Sequence, residues 1–284
     1  MNMKLIARML AIGLTGLFLA SCSDDDTPKM AENKSGASDQ IEKVSKVVAD
    51  KMVATSGFSD AQEKAISEIV RKTLLARPEI LQEAFAALEA RDKAEQEKRK
   101  VSALSESAEV LFRSKLSPTG GNPKGDVTIV EFFDYNCPYC RKAFKDLETV
   151  IGEDKNIRVV FKEYPIFGGA SQIAARAALA AKKQGKYYEL HKALLEVDSR
   201  VTKDTVFRKA KQVGLDIARL KEDMKGDDIT ASIAETKKLA DNLGVRGTPA
   251  FFVGDKLIPG APRNLVELMK NHAKDIRKNG CKNC

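Results

Sequence analysis

The sequence predicts an α/β domain with an all-helical insert, preceded by a separate α-helical region. Three observations carry that expectation. Val127-Thr128-Ile129-Val130-Glu131-Phe132-Phe133 reads as a buried strand, a helix follows it through about Val150, and Ile157 to Lys162 makes a second strand. Strand, helix and strand in that order form a right-handed crossover with parallel strands. Ala170 to Leu243 then reads as several helices, alanine-rich near Ile173 to Lys183. Two short strands, Ala250 to Val253 and Lys256 to Pro259, flank Gly254-Asp255, a hairpin turn signal. A last helix covers about Arg263 to Lys278.

The chain of 284 residues has room for that domain and for more. Ser117-Pro118-Thr119-Gly120-Gly121-Asn122-Pro123 is a turn-rich joint ahead of the first strand. Upstream, Ile41, Val44, Val48 and Met52 recur at three- and four-residue steps, an apolar helix stripe. Gly57-Phe58-Ser59-Asp60 interrupts it, and Ser59 or Asp60 is suited to cap a second helix. That helix carries Ala65, Ile66, Ile69, Val70 and Leu74 and stops near Arg77-Pro78. A third starts at Pro78, a residue favoured in a first helical turn, and sets Ile80, Leu81, Ala84, Phe85 and Leu88 on one side. It then runs into charged sequence from Glu89 to Lys100. These stripes are too few and too narrow for an independent core. Residues 41–115 are therefore expected to self-associate as a dimer or trimer, packing against the following domain being the alternative.

The net charge of +8 comes from 48 basic and 40 acidic side chains, interleaved along helical stretches such as Arg91 to Lys100. Without a basic block or interleaved aromatics, nucleic acid is not an expected partner. Five cysteines fall in three places: Cys22, Cys137 with Cys140, and Cys281 with Cys284. Met1 to Arg8 carries Lys4 and Arg8, and Met9 to Ala20 is an apolar run of signal-peptide length. An exported protein meets conditions in which disulfides persist. Residues 22–40, polar and starting Ser23-Asp24-Asp25-Asp26 after Cys22, read as a disordered tether.

The chemistry is concentrated in Cys137-Pro138-Tyr139-Cys140. Cys137 falls where a strand ends and a helix starts, with Pro138 as the first helical residue. Unpaired N–H groups and the helix dipole there favour a thiolate and lower its pKa. Cys140, nearly one turn on, can close a disulfide with Cys137, and this pairing of an exposed attacking thiol with a shielded resolving one suits thiol–disulfide exchange. Half a zinc site is the competing reading. Its other half would be Cys281 and Cys284, without the compact spacing of a zinc ribbon. No metal or other cofactor is expected. His191 and His272 lie on predicted helices without ligand spacing and read as structural.

Three resemblances sharpen this. Leu19-Ala20-Ser21-Cys22 resembles the bacterial lipoprotein cleavage box. It implies a signal peptide over residues 1–21 and acylation of Cys22, an ordinary secretory signal being the alternative. Residues 122–279 resemble the DsbA-like branch of the thioredoxin superfamily, in which a helical insert, here about 168–243, interrupts the fold. In that family Glu131 falls at a buried acid beneath the active site, able to take a proton from Cys140. Gly247-Thr248-Pro249-Ala250-Phe251-Phe252 matches the cis-proline loop, whose Thr248 backbone would pair with a bound peptide strand. Ile69 to Leu88 resembles the oligomerising region of ScsC-type proteins, DsbA-like periplasmic proteins linked to copper stress.

The resemblances imply an enzyme acting on unfolded or misfolded exported proteins, with a redox-active Cys137–Cys140 disulfide and a membrane redox partner of DsbB or DsbD type. They imply a periplasmic protein anchored through Cys22, with the outer membrane favoured over the inner. Thr248, the Pro138-Tyr139 dipeptide and the oligomerising helices favour isomerase or shuffling activity over a DsbA-type oxidase. A copper(I)-binding protein using both cysteine pairs is the alternative from another class. Residues 280–284 depart from the family pattern. After Gly280 they are expected to be flexible, carrying an inert disulfide or a shuttle toward Cys137.

Overall fold

The computed structural model describes residues 57–284, in two units that divide between Gln82 and Glu83. The signal peptide, Cys22, the tether and the stripe from Ile41 to Met52 lie outside the described residues. Helix α1 (Asp60–Ala76) starts where the Ser59 backbone N–H donates to the Gln62 side chain, with Asp60 and Glu63 placing negative charge on its first turn. None of its residues is buried, and Ile66, Ile69, Val70 and Leu75 are exposed.

Helix α2 (Glu79–Arg113) follows Pro78 and is longer than its apolar stripe foretells, at 35 residues. Pairs at helical spacing, Arg99 with Glu95, Lys100 with Glu97 and Arg113 with Glu109, carry it through the charged stretch. Leu81, Phe85 and Leu88 are exposed, whereas Leu104, Ala108, Leu111 and Phe112 are buried. Residues 104–112, grouped by the sequence with the N-terminal helices, thus supply core to the unit that follows. They pack against Val130, Phe132, Val160 and Phe252 on one face of a sheet. Lys162 fastens this contact, its fully buried Nζ donating to the Val110 carbonyl at 2.6 Å and to the Ser117 hydroxyl at 2.7 Å.

The sheet holds β1 (Thr119–Gly121), β2 (Val127–Phe133), β3 (Ile157–Glu163), β4 (Ala250–Val253) and β5 (Lys256–Pro259), in the order β1-β3-β2-β4-β5. As expected, β2 and β3 are parallel; the other pairs are antiparallel. Both are covered on both faces: six of the seven residues in each strand are buried, the charged Glu131, Lys162 and Glu163 among them. Strand β1 falls in the segment read as a turn-rich joint. Its Thr-Gly-Gly has little strand preference of its own, and pairing with β3 imposes the extended form. Gly120 lies over the Phe161 ring, where a Cβ would meet the ring at 2.9 Å.

The second face carries α3 (Pro138–Glu153) and α9 (Leu265–Asn279), with α5 (Tyr187–Leu195) packed on α3. The insert between β3 and β4 consists of α4 (Gly169–Ala181), a 3₁₀ turn (Lys182–Gln184), α5, α6 (Lys203–Gln212), α7 (Ile217–Asp223) and α8 (Asp227–Leu243). Buried alanines at 174, 175, 177, 178, 180 and 181 make α4 its closely packed centre. Arg277 on α9 ties down both edges of the crossover, with bonds to Asp126 and Asp154 at 2.7 Å each.

Cys281 and Cys284 are joined in a disulfide that is held rather than loose, contrary to expectation. Its sulfurs lie 3.2 and 3.0 Å from where a Cβ on Gly254 would stand, and Cys281 packs against the core. Gly254, at φ +56°, makes the hollow that accepts them.

Candidate functional site

Strand β2 delivers the site. Its last residues carry the chain across a short turn to Cys137, which caps α3 in extended conformation, with Pro138 opening the helix. The cap position explains the geometry: the Cys140 N–H donates to the Cys137 carbonyl at 3.1 Å, and the sulfur is left beside the Tyr139 and Cys140 N–H groups of the first turn. Both cysteines are free thiols and both are buried, so Cys137 is not the exposed thiol the sequence suggested: the Thr248–Pro249 loop packs against it. Across the site, the Thr248–Pro249 bond is cis, and the Cys137 thiol donates to the Thr248 carbonyl at 3.2 Å.

The two thiols are driven apart in acidity. A hydrogen bond from the Cys140 thiol, followed by contact with Thr248 and by the backbone N–H groups of Cys140 and Tyr139, lowers the Cys137 pKa to about 6 against the cost of burial. Burial, followed by the hydrogen bond to Cys137 and the negative charge there, pushes Cys140 far upward. Cys137 is a thiolate near neutral pH while Cys140 keeps its proton.

Glu131 is fully buried, and neither carboxyl oxygen has a hydrogen-bond partner. Burial, then the charge on Cys137, raises its pKa to about 8, and its own charge acts on Cys140. Tyr139 points outward and is 65% exposed. Thus Cys137, Cys140, Glu131, Thr248 and Pro249 converge on one end of the sheet. The tail disulfide does not join them. Gly254 and Pro249 flank opposite ends of β4, whose four residues span roughly 13 Å. This placement argues against a shuttle between Cys281/Cys284 and Cys137 within one chain, and the four sulfurs do not converge as a copper site would require.

Sequence reasoning passed over the groups that hold the turn before Cys137. The buried Asp134 carboxylate accepts from four donors: the N–H of Asn136 and the Ser171 hydroxyl, both at 2.7 Å, and the N–H groups of Ile166 at 2.8 Å and Phe167 at 3.0 Å. Its backbone carbonyl accepts from the Cys137 N–H at 3.0 Å. Asn136 reaches the Val201 backbone in both directions. Beneath the turn, Tyr135 and Tyr187 donate to Glu163 at 2.9 and 3.0 Å, and Tyr135 also meets His191 Nδ1 at 3.1 Å. Burial raises the Glu163 pKa well above the carboxylate range and lowers that of His191 to about 3. His191, edge-on to Phe133, tilted against Phe161 and stacked on Tyr187, fits the structural reading. A strand-end glutamate gives no sequence signal of such a partner set. For Asp134 the only clue is its place three residues before Cys137.

Residues 128–270 match the family described as DSBA-like thioredoxin domain, and residues 62–95 match the copper resistance protein ScsC N-terminal domain. A thioredoxin-like oxidoreductase from Silicibacter pomeroyi DSS-3 is similar at 45% identity and TM-score 0.58, covering 60% of this chain and 97% of that one. A linker-deletion mutant of Proteus mirabilis ScsC covers 79% of this chain and 99% of its own at 27% identity, with a TM-score of 0.57. A periplasmic thioredoxin-like protein from Salmonella enterica serovar Typhimurium is 30% identical over 61% of this chain and 95% of its own, with a TM-score of 0.54. Among curated proteins, a Na(+)/H(+) antiporter NhaA 3 of Salinispora tropica is 32% identical over 150 residues. That stretch is 52% of this chain and 23% of the antiporter, so the chain spans about a quarter of that relative's length. Among the described residues no helix is long and apolar enough to cross a membrane. The chain belongs to the DsbA-like thioredoxin family of thiol–disulfide oxidoreductases, with a ScsC-type N-terminal region.

Proposed function

We propose that the chain is a periplasmic protein-disulfide exchange enzyme with isomerase or shuffling activity as its main role. The observation that carries the chemistry is the divergence of two thiols on one helical turn, Cys137 with a pKa of about 6 and Cys140 pushed far upward. The Cys137 thiolate attacks a substrate disulfide, forming a mixed disulfide and releasing a substrate thiolate. In isomerisation that thiolate rearranges with another substrate disulfide. A substrate thiolate then displaces Cys137, returning the dithiol with no net electron transfer. If the substrate stalls, the mixed disulfide removes the Cys137 charge that helps to keep Glu131 protonated; ionised Glu131 then takes the Cys140 proton, and Cys140 resolves the mixed disulfide, leaving the Cys137–Cys140 disulfide and a reduced substrate. A membrane partner of DsbD type would then restore the dithiol; one of DsbB type would sustain the oxidase direction instead.

Support for the isomerase direction comes from the N-terminal unit. Ile66, Ile69, Val70 and Leu75 are uncovered in the single chain, and this region matches the ScsC N-terminal domain. A dimer or trimer built on these helices would let several active sites grip one misfolded substrate. Acylation at Cys22 would hold that assembly at the periplasmic face of the outer membrane. The deciding experiment pairs insulin reduction with scrambled-ribonuclease refolding, with and without residues 41–82. Truncation must stop before Glu83, because residues 104–112 belong to the catalytic unit's core. Isomerase activity that survives truncation in a monomer sinks the oligomer argument. A Cys22→Ser variant that still fractionates with membranes removes the anchor.

A further inference from the structure

Tyr135, Glu163, Tyr187 and His191 are all buried, and the exchange chemistry uses none of them. Glu163 Oε1 meets both tyrosine hydroxyls, whereas Oε2 has no partner. A charge on that carboxyl would be half unsolvated, beside the Asp134 carboxylate. Tyr135 has one hydroxyl hydrogen and two neighbours able to accept it, Glu163 Oε1 at 2.9 Å and His191 Nδ1 at 3.1 Å. The same distances therefore fit two placements of the hydrogens. A charged Glu163 takes the Tyr135 hydrogen. A protonated Glu163 donates to Tyr135 instead, and the Tyr135 hydrogen passes to His191, which burial keeps neutral.

Glu163 also shares a face with Glu131. Glu131 is opposite Phe161 and Phe133 opposite Glu163, so the two acids sit two residues apart on one face of adjacent strands. Strand spacing and rise put their backbones about 8 Å apart, and the charge of Glu131 acts on Glu163. Asp134, Tyr135, Tyr187 and His191 are the other titratable groups around Glu163. Around Glu131 they are Cys137, Cys140, Tyr187 and Tyr188.

We propose that Tyr135, Glu163, Tyr187 and His191 form a buried latch for the resolving proton: His191 accepts the Tyr135 hydrogen, Glu163 keeps its own, and the negative charge is left to Glu131. The inference rests on the resolving step above, in which ionised Glu131 takes the Cys140 proton, the Cys140 sulfur bonds to Cys137 and the substrate half leaves as thiolate. Two carboxyl groups at this separation in a dry interior resist ionising together. A charge on Glu163 would hold Glu131 protonated and stop it from acting. The four residues act through Glu131 and are positioning residues.

The test uses the full chain, reduced at Cys137 and Cys140, and a peptide disulfide with a different fluorophore on each half. Attack by Cys137 releases one half and resolution by Cys140 releases the other, so both rates are read against pH. Wild-type resolution should rise with a midpoint below about 8, since the mixed disulfide removes the Cys137 charge from Glu131. His191→Phe frees the Tyr135 hydrogen for Glu163, which then ionises. The midpoint should move up by about 1–2 pH units, the effect of a unit charge at that distance. Adding Glu163→Gln, which cannot ionise, should bring the midpoint back, with the pH dependence of attack unmoved. A midpoint that His191→Phe leaves in place, or that Glu163→Gln does not restore, overturns the proposal. An equal move in attack marks a general distortion and overturns it too. Should His191→Phe not fold, infrared spectra decide: at pH 8 the wild type should show a protonated-carboxyl band that Glu163→Gln removes, and its absence sinks the latch. Failure of the resolving-step reading shows separately, as a Glu131→Leu variant that resolves with unaltered rate and midpoint. A wild type that releases neither half overturns the functional reading and the latch together.

Discussion

The sulfur of Cys137 lies 3.2 Å from the carbonyl oxygen of Thr248, 111 residues further along the chain. That contact places the nucleophile against the backbone of the loop that opens β4. A substrate strand laid along Thr248 would therefore bring its own sulfur to Cys137.

The first expected outcome concerns Cys137 itself. With a pKa of about 6, roughly nine-tenths of it is thiolate at pH 7. Exchange should quicken from pH 5 to pH 7 and level off above, and iodoacetamide should label Cys137 well before Cys140. The folded pKa is depressed from 9.0, so the reduced form should gain stability as pH rises from about 6 to 9 and lose it as pH falls through 6. A thiolate titration centred near 9 would sink hydrogen-bond stabilisation of the Cys137 anion.

Glu131 gives the opposite slope. Its folded pKa, about 8, stands above the unfolded 4.5, so the unfolded chain releases the proton first. This contribution is fully present below about 4.5 and is lost as pH rises through 8. Glu131→Leu should remove that slope and stabilise the fold at pH 8 by about 1–3 kcal/mol, since it takes away a buried carboxyl without partners. It should also slow resolution of the mixed disulfide by about tenfold or more. Denaturant titrations at pH 5 and pH 8, with single-turnover release of a trapped substrate, check both.

Lys162 provides a third check on pH. Burial lowers its pKa to about 8 from 10.5, so stability from this residue should rise between about pH 8 and 10.5 and fall as pH drops through 8. Lys162→Met should flatten that rise. An unchanged difference between pH 8 and pH 10 in the variant speaks against a buried ammonium at the α2 contact.

The tail disulfide is expected to be structural. Cys281→Ser with Cys284→Ser opens a loop of only four residues, which should cost no more than about 2 kcal/mol. Gly254→Ala meets both a positive φ and the Ile276 side chain, and should destabilise by about 1–3 kcal/mol. Thermal melts measure these losses, and neither change should slow exchange at Cys137, since β4 separates the two sites. A marked loss of exchange in the tail variant instead reinstates a shuttle role.

Local rules made the parallel crossover, the cap at Cys137, the Gly254 turn and the stop at Arg77-Pro78 legible. Each depends on residues within a few positions of one another. Strand β1 was not legible, because Thr119-Gly120-Gly121 is extended only through its partner β3. The double character of α2 was hidden for a similar reason: the burial of Leu104 to Phe112 depends on Val130, Val160 and Phe252, and no periodicity announces them.

The same division runs through the site. The sequence by itself determined that Cys137 and Cys140 sit on one turn at a helix start, and hence the class of chemistry, because helix geometry and the unpaired N–H groups follow from local order. Only the tertiary structure decided which groups surround the pair. Glu131 became a partnerless buried acid, Asp134 a four-donor anchor, and Cys281–Cys284 a clasp far from the nucleophile. Burial and distance between residues remote in sequence set those roles, and both exist only once the sheet has formed.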